Sequence, residues 1–323
     1  MAGFLNVATT MRDTIHILLA TYNGAPYLQE QLNSLLAQTH ANWCLLIRDD
    51  GSTDSTPTIL AGYQKRFPTR IKIVSSEKVN LGASGNFGAL LAAADADADY
   101  LMLCDQDDVW YPDKIERTLA EMRRLEKLHG ITTPLLVHTD LAVVEKGLRS
   151  VADSLWRLQH SDPIGGKVLN RLLVQNVATG CTMMFNRALR DLALPVPPEA
   201  VMHDWWLVLV AAAFGEIGQV TMPTVLYRQH GANDVGARPF NVRDIVGQLY
   251  CRPETRAIIA RIQCQGAAFF DRYRDKLTPS QREMLEVYAR FDSFNGLRRR
   301  WYLLKYRFFY TGIIRNVGRL VIG

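Results

Sequence analysis

The chain has 323 residues, of which 48% are hydrophobic and 21% charged, a balance typical of a folded protein with a sizeable core rather than of a disordered chain. Its five cysteines are odd in number and show no Cys-x-x-Cys or Cys/His spacing, which disfavours a disulfide framework and a structural zinc site. The net charge of +5 is unevenly distributed, because residues 241–323 contain 16 Lys and Arg against 7 Asp and Glu, and such a basic end suggests contact with something anionic.

Short apolar runs alternate with helical patterns through the first half of the chain. This alternation predicts βαβ units and a mainly parallel sheet. Ligands of such sheets bind at the carboxyl ends of the strands, and polar clusters follow the apolar runs there. The predicted strands cover residues 15–20, 44–48, 71–74 and 100–104, and the predicted helices cover about 26–38, a stretch through 59 and 63, about 83–94, and 112–129.

The second half of the chain is less regular. From about residue 241 onward its pattern is helical, ending in a helix over 301–322. We therefore predict an α/β domain over residues 1–240 and a basic helical region over 241–323. Before residue 240 we predict strands at 135–144 and 179–185, a helix at 202–214, and a strand pair at 217–222 and 225–229 around Pro223.

Three carboxylates stand within four residues at the end of the fourth predicted strand, at Asp105, Asp107 and Asp108. Like charges this close repel one another, and a hard divalent cation relieves the repulsion while it bridges carboxylates to substrate phosphates. A Mg²⁺ or Mn²⁺ site is therefore one interpretation. The alternative is a solvated acidic turn that caps the helix starting at Pro112.

The loop after the first predicted strand, at residues 20–24, matches neither the glycine pattern of a dinucleotide site nor a P-loop. Any nucleotide must be bound in another way. Asp49 and Asp50 end the second predicted strand, where a carboxylate can accept hydrogen bonds from a nucleobase N–H or a ribose hydroxyl. An ordinary Asp/Gly/Ser turn with a helix N-cap explains the same pattern equally well.

Two later positions complete the set of candidate residues. Asp204 stands at the start of a predicted helix beside Trp205 and Trp206, where burial would raise its pKa and suit it to general-base work, although the helix N-terminus opposes that shift. The tryptophans could form a platform for an acceptor sugar, or all three could be a helix cap and core residues. Arg228 is a natural diphosphate partner, and His230 can bind a metal or a phosphate, although a lone histidine is more often structural.

Taken together, these residues resemble the inverting family 2 glycosyltransferases, most closely the bacterial rhamnosyltransferase-like branch that builds surface polysaccharides. The resemblance covers residues 15–235, about two thirds of the chain. It implies the GT-A fold, a Rossmann-like mixed α/β sheet flanked by helices, here with a helical C-terminal extension. The matching motifs are Leu19–Gly24, Tyr27–Leu32, Ile47–Asp54, Asn80–Gly82, Cys104–Trp110, Gly180–Thr182, His203–Trp205 and Tyr227–His230.

The resemblance implies a role for each motif. The first loops would bind a nucleoside-diphosphate sugar, and a divalent metal, Mg²⁺ or Mn²⁺, would hold its diphosphate. Asp204 would be the catalytic base, and the metal ligands would be Asp107, Asp105 and His230. The implied donor-binding residues are Thr21, Tyr22, Asn23, Asp49, Asp50, Gly82, Asp105, Gln106 and Arg228, and the implied acceptor-binding residues are Trp205, Trp206 and Trp110.

One motif departs from the family pattern. Many members follow the Asn-x-Gly of residues 80–82 with Ala-Arg, whereas Ser84 and Gly85 stand here, so a phosphate contact from that arginine is missing or supplied elsewhere. The branch suggests dTDP-L-rhamnose as the donor, but thymine and uracil present the same edge, so a UDP-sugar stays open. A nucleotidyltransferase, a sugar-nucleotide hydrolase and a non-catalytic membrane adaptor are the rival functions.

The basic end, from Arg298 to Ile322, mixes cations with aromatic and aliphatic residues. Arginine interrupts it too often for a membrane span, but the pattern suits a helix lying in the membrane interface, close to a lipid-linked saccharide acceptor. The alternative is a helical cap packed on the catalytic domain. No RNA-binding motif occurs, so nucleic acid is not an expected partner. With neither a secretory leader nor an apolar run of about 18 residues, we expect a cytoplasmic protein at the inner face of the plasma membrane.

Overall fold

A computed structural model describes residues 14–74, 79–161, 163, 168–231, 253–310 and 316. The strands of these residues form one mixed sheet. In chain order, the elements of the first half are β1 (Ile15–Thr21), α1 (Ala25–Leu36), β2 (Trp43–Asp49), α2 (Thr56–Arg66), β3 (Ile71–Ile73), α3 (Gly82–Ala93), β4 (Tyr100–Cys104), β5 (Val109–Trp110) and α4 (Lys114–His129).

The parallel half-sheet predicted from the sequence is confirmed. Strands β3, β2, β1 and β4 lie side by side in that order, and each neighbouring pair is parallel. Thr21 pairs with Asp49 across β1 and β2, and Leu19 pairs with Cys104 across β1 and β4. This register brings the polar ends of three strands to one edge of the sheet.

The second half of the chain extends the same sheet with antiparallel and parallel strands, in the overall order β3-β2-β1-β4-β8-β6-β9-β5, with β7 paired to β6. Its elements are β6 (Leu135–Glu145), β7 (Ser150–Ala152), α5 (Leu155–Leu158), α6 (Leu169–Leu172), a 3₁₀ turn (Gly180–Thr182), β8 (Met184–Asn186), α7 (Arg187–Ala193), α8 (His203–Phe214) and β9 (Glu216–Gln229).

Two predicted elements of this half are wrong in detail. Only the last two residues of the predicted strand over 179–185 belong to a strand, β8, and Gly180–Thr182 form the 3₁₀ turn, where the Thr182 hydroxyl donates to the carbonyl of Thr179 at 2.6 Å and competes with strand pairing. The predicted strand pair around Pro223 is one long strand, β9. Pro223 is accommodated because the pairing between β6 and β9 shifts register at this point.

The sheet separates two hydrophobic cores. Alternate residues of β1 point to opposite faces, so that Leu18 packs in one core while Ile17 and Leu19 pack in the other. The core around Leu18 includes residues of α3, α6 and α8, and the core around Ile17 includes residues of α1, α2 and α4. Both faces of the central strands are therefore buried, as their continuous apolar sequences require.

The C-terminal helices pack on the sheet domain. They are α9 (Pro253–Tyr273), α10 (Pro279–Ala289) and α11 (Gly296–Tyr306). Phe269 of α9 lies edge-on to Trp206 of α8 at 5.4 Å, and buried residues of all three helices belong to the Leu18 core. The predicted domain boundary at residue 240 and most of the tail after residue 310 lie outside the described residues. Among the described helices, none has both the length and the apolar composition needed to cross a membrane.

Candidate active site

The loops after β1 and β2 are joined by side-chain hydrogen bonds. Thr21 Oγ1 donates to Asp49 Oδ1 at 2.9 Å, and Ser52 Oγ donates to the same oxygen at 2.6 Å. Asn23 has a left-handed backbone with φ of 48°, in which its N–H donates to Ser52 Oγ at 2.8 Å and its Oδ1 accepts the Thr53 N–H at 2.8 Å. The structure therefore brings three of the predicted donor residues, Thr21, Asn23 and Asp49, to one place.

Asp50 is turned into the protein instead. Its side chain is 2% exposed, it accepts from Arg48 Nη1 at 2.5 Å, and it accepts the backbone N–H groups of Leu81 and Gly82 at 2.9 Å. Gly82 has φ of 69°, which favours glycine at this turn into α3. Asp50 is therefore turned away from a donor and bound to the Gly82 N–H, whereas the donor contact of the exposed Gly82 stays a prediction.

Gln106 joins the acidic turn after β4 to the loop after β1. Its Nε2 donates to the Tyr22 carbonyl at 2.9 Å, and its Oε1 accepts the Tyr22 N–H at 2.9 Å. A Cβ on Gly24 would lie 2.1 Å from that Oε1, so glycine is needed for this approach. The predicted donor contact of Gln106 stays a prediction, with one donor and one acceptor position of its amide already used by the Tyr22 backbone. The ring of Tyr22 is 49% exposed and accessible to a ligand.

The acidic turn and the 3₁₀ turn form a cluster of carboxylates with one thiol. Ligand atoms of Asp105, Asp108 and Cys181 all lie within 4.8 Å of one another. Asp108 is fully buried, and its Oδ2 has no hydrogen-bond partner among the described residues. Burial, reinforced by the charge of Asp107, raises the pKa of Asp108 to about 7. Carboxyl groups held this close together, one of them fully buried, fit a bound cation.

The donor atoms of this cluster suit a hard cation. Burial raises the pKa of the Cys181 thiol well above its ordinary value, and sulfur is a softer ligand than Mg²⁺ and Mn²⁺ prefer. The carboxylate oxygens of Asp105 and Asp108 remain, and oxygen ligands are those that Mg²⁺ and Mn²⁺ prefer.

Asp107 and His230, both predicted metal ligands, lie in contact. Asp107 Oδ2 is 2.7 Å from His230 Nε2, and the imidazole stacks on the Tyr27 ring with centroids 4.7 Å apart. Stacking and hydrogen bonding fix the orientation of both side chains. That both bind a metal stays a prediction, because the two side chains bind each other. The ligand atoms that lie within 4.8 Å of one another belong to Asp105, Asp108 and Cys181, and Asp108 is a candidate that the sequence prediction left out.

Arg228 does not face a ligand. Its side chain is 2% exposed; Nε donates to the Asp107 carbonyl at 2.8 Å, Nη1 donates to the Lys146 carbonyl, and Nη2 donates to Glu30. The predicted diphosphate contact of Arg228 is corrected, because protein acceptors occupy its guanidinium. Its position instead holds the backbone of the acidic turn against α1 and the end of β6.

Asp204 begins α8 and reaches the 3₁₀ turn. Its Oδ2 accepts the Gly180 N–H at 3.0 Å, and its Oδ1 accepts the Trp205 N–H at 2.5 Å. A Cβ on Gly180 would lie 3.3 Å from the Cβ of Asp204, so glycine permits the close approach. Burial raises the pKa of Asp204 to about 6 although both backbone donors lower it. Since Gly180 precedes Cys181, this hydrogen bond holds the Asp204 carboxyl group against the 3₁₀ turn that supplies Cys181 to the acidic cluster.

The three tryptophans predicted to bind the acceptor are core residues. Trp206 is fully buried, and its indole N–H donates to the Ala193 carbonyl at 3.0 Å. The indole of Trp205 donates to the Leu172 carbonyl at 2.6 Å, and Trp110 is buried against Lys114, whose Nζ lies 4.6 Å from its ring centroid. The prediction is corrected because buried rings offer no face to a sugar.

The sequence prediction missed Lys114 as a structural partner of the cluster. This lysine is fully buried, and its Nζ donates to the Cys181 carbonyl at 3.0 Å and to Thr224 Oγ1 at 3.3 Å. Burial lowers its pKa to about 8. Nothing in the local sequence distinguishes Lys114 from the other cations of α4, because its burial depends on residues that are 67 and 110 positions away.

With a polar loop pair and an acidic turn at the ends of its parallel strands, and a half-buried carboxyl group at the start of α8, the chain has the GT-A fold of nucleotide-sugar transferases. The sequence profile described as "Glycosyl transferase family 2" matches residues 16–192, more than half of the chain, and the chain belongs to that family.

Curated relatives cover about two thirds of this chain. The dTDP-rhamnosyl transferase RfbG of Shigella flexneri is 28% identical over 236 residues, which is 68% of this chain and 74% of that protein. TuaG of Bacillus subtilis, a putative teichuronic acid biosynthesis glycosyltransferase, is 28% identical over 213 residues, which is 65% of this chain and 77% of that protein.

Solved structures share the fold at low sequence identity. TarS 1-349 of S. aureus in complex with UDP-GlcNAc has a TM-score of 0.56 and 15% identity, covering 91% of this chain and 80% of that chain. The mannosyltransferase PcManGT of Pyrobaculum calidifontis, in complex with GDP-Man and Mn²⁺, has a TM-score of 0.51 and 17% identity, covering 91% and 72%.

Proposed function

We propose that the chain is an inverting, metal-dependent glycosyltransferase that moves a sugar from a nucleoside-diphosphate donor to a hydroxyl group of a saccharide or lipid-linked saccharide in surface polysaccharide biosynthesis. The hydrogen bond from Gly180 to Asp204 supports this proposal best, because the next residue, Cys181, belongs to the cluster with Asp105 and Asp108. A half-buried carboxyl group with a raised pKa is thus hydrogen-bonded to the turn that supplies one member of that cluster. The relationship to TuaG supports the polysaccharide role.

The donor would bind across the loops after β1 and β2 and the acidic turn. The exposed ring of Tyr22, the Thr21–Asp49 pair and Asn23 would contact the nucleoside. Mg²⁺ or Mn²⁺ held by carboxylates of the acidic turn, with His230 orienting Asp107, would neutralise charge on the departing diphosphate. The Mn²⁺ and GDP-Man in PcManGT support a metal and a nucleotide sugar at such a site.

Asp204 would act as the general base of the transfer. Its pKa of about 6 leaves it ionised at neutral pH, while its burial makes it more basic than an exposed aspartate. It would take the proton from the acceptor hydroxyl as that oxygen attacks the anomeric carbon from the face opposite the leaving group. One such displacement inverts the anomeric centre and needs no covalent nucleophile.

The donor sugar is proposed from the relatives. The name of RfbG supports a dTDP-linked rhamnose, and the UDP-GlcNAc complex of TarS supports a UDP-linked sugar. A thermal-shift screen of dTDP-L-rhamnose, UDP-GlcNAc and UDP-glucose with Mg²⁺ or Mn²⁺ separates these, because a ligand bound only by the folded state raises the melting temperature. A matching shift with the bare nucleotide would indicate that the base is recognised rather than the sugar.

The chain is also proposed to bind the cytoplasmic face of the plasma membrane through α11. Leu297, Trp301 and Leu304 are 54–79% exposed and spaced on one side of this helix, with Arg298 and Lys305 exposed beside them. Apolar side chains flanked by cations suit the boundary between acyl chains and anionic headgroups. A lipid-linked acceptor would then be concentrated at the same surface.

The catalytic assignment is tested with Asp204→Asn, which keeps the shape of the side chain and removes the base. We expect transfer to fall by a factor of about 10² to 10⁴ while donor affinity changes little. In the matched variant Asp107→Asn, metal-dependent donor binding should weaken instead. Unchanged transfer by Asp204→Asn would exclude Asp204 as the general base. Donor hydrolysis by the parent protein, without transfer to any acceptor, would favour a sugar-nucleotide hydrolase.

A further inference from the structure

A cavity lies outside the candidate active site. It has a volume of about 700 Å³, within the range of small-molecule sites, and none of the predicted donor, metal or base residues lines it. Its walls come from the start of α4, the middle of β6, α5 and the middle of β9. Buried hydrogen bonds run from Thr139 through Thr224 and Lys114 to the Cys181 carbonyl, and Thr139 and Thr224 are sequence neighbours of two lining residues.

The cavity is built by an irregularity of the sheet. Thr139 of β6 pairs with Val220 of β9, but the next residue, Asp140, pairs with Pro223. Two extra residues, Thr221 and Met222, are therefore displaced from the ladder, and both line the cavity and are exposed. Bulges of this kind recur beside binding sites, where they redirect side chains.

The charges that line the cavity do not favour an anionic ligand. Asp113 and Arg117 form an ion pair at 2.5 Å, which neutralises one guanidinium. The buried carboxylate of Asp140 accepts from Ser154 Oγ at 2.5 Å. The lining contains three carboxylates and two guanidinium groups, so the cavity has no excess of positive charge for a phosphate or a nucleotide.

The remaining chemistry of the cavity is that of carbohydrate recognition. Trp156 is half-buried in the wall, its ring set edge-on against His138 at 5.4 Å, and Tyr111 supplies a second aromatic side chain. An aromatic face packs against the C–H groups of a sugar, while planar carboxylate and guanidinium groups pair with its hydroxyls. We propose that this cavity binds an uncharged saccharide, independently of the transfer site.

The proposal is tested by ligand-observed NMR on the full chain with three neutral probes: an α-linked L-rhamnose trisaccharide, maltotriose and chitotriose. We expect at least one to bind, and Trp156→Ala to weaken its binding roughly threefold to tenfold. Trp156→Phe should restore part of the affinity, because it returns an aromatic face. Leu128→Ala, which removes an exposed apolar side chain near the end of α4, is the control and should leave binding unchanged.

A second variant keeps the test valid if Trp156→Ala disturbs folding. Arg157 is exposed and lines the cavity, so Arg157→Ala should weaken saccharide binding without changing the melting temperature. UDP with Mg²⁺ should not displace the bound probe. Failure of all three probes to bind, unchanged affinity in both cavity variants, or displacement by UDP would each overturn the proposal, and none of these outcomes bears on Asp204 or on the acidic turn.

Discussion

The carboxyl group of Asp204 shows how one residue can be tuned by competing effects. Burial disfavours its charged form, whereas the N–H groups of Gly180 and Trp205 favour it. Burial is the larger effect, so the pKa rises to about 6. A group of this pKa is a stronger base than an ordinary aspartate and is still ionised at pH 7.

We predict that the pH dependence of kcat/KM follows this group. Only the ionised form can accept a proton, so kcat/KM should fall about tenfold per pH unit below pH 6 and level off above it. The measurement is the initial rate of transfer between pH 4.5 and 8 at saturating metal. A fall in kcat/KM centred near pH 4 instead of pH 6 would contradict the raised pKa of Asp204. The residual activity of Asp204→Asn should not show the fall below pH 6.

Gly24 is predicted to control the position of Gln106. In Gly24→Ala the new Cβ would lie 2.1 Å from Gln106 Oε1, so the flexible amide should swing away and lose both hydrogen bonds to Tyr22. We expect the KM for the donor to rise several-fold, with about 1 kcal/mol or less lost in stability.

The control for this prediction is Gly62→Ala on α2, where a Cβ meets nothing within 4 Å. It should leave KM unchanged and stabilise the helix by about 1 kcal/mol or less. A double-mutant cycle supplies the decisive comparison: in a Gln106→Ala background, Gly24→Ala should have almost no further effect on KM. Additive effects of the two substitutions would show that they act through separate contacts.

At the scale of elements, α11 presents two different faces. Leu303 is buried against the core, whereas Leu297, Trp301 and Leu304 lie exposed on another side. A helix that only covered a core would gain nothing from a second apolar stripe, whereas a helix at a membrane surface gains the burial of that stripe.

We predict that replacing Leu297, Trp301 and Leu304 by serine abolishes most binding to phosphatidylglycerol-containing vesicles in a flotation assay. The reason is the loss of the apolar area that enters the lipid. Leu128 and Ile131 are equally exposed, near the end of α4, so Leu128→Ser with Ile131→Ser is the matched control and should leave flotation unchanged. Equal flotation of the triple variant and the parent would exclude α11 as the membrane contact.

At the scale of the whole molecule, the C-terminal helices and the sheet domain share one core. Tyr288 of α10 donates its hydroxyl to the Leu173 carbonyl at 2.6 Å, and a Cβ on Gly266 of α9 would lie 2.4 Å from the Tyr288 ring. Phe269 and Tyr273 pack with Trp206 of α8. Such continuous packing couples the stability of the two parts.

We therefore predict that the chain unfolds in a single transition in urea, followed in parallel by tryptophan fluorescence and circular dichroism. Tyr288→Ala should lower the free energy of unfolding by about 3 to 5 kcal/mol, because it opens a cavity between α9, α10 and the sheet domain. Leu297→Ala, on the exposed face of α11, should change it by about 0.5 kcal/mol or less. Two separate transitions would instead support independent domains on either side of residue 240.

Much of the fold and part of the site could be predicted from local sequence. The strands β1 to β4, and the polar residues that follow them, are predicted by short-range patterns. The same patterns place Asp49, Asp105 and Asp204 at the ends of elements. These features depend on residues that are neighbours in the chain, which periodicity and turn composition report directly.

The choice between residues of one type was decided only by the tertiary structure. Asp49 and Asp50 are adjacent, yet only Asp50 is held inside by Arg48 and the turn before α3. The guanidinium of Arg228 donates hydrogen bonds to acceptors as far as 198 positions away in the chain, and Trp206 is buried against α9. The sequence by itself determined the chemistry available at the strand ends. Long-range packing determined which side chains face a ligand, because side-chain direction and burial depend on which distant elements pack together.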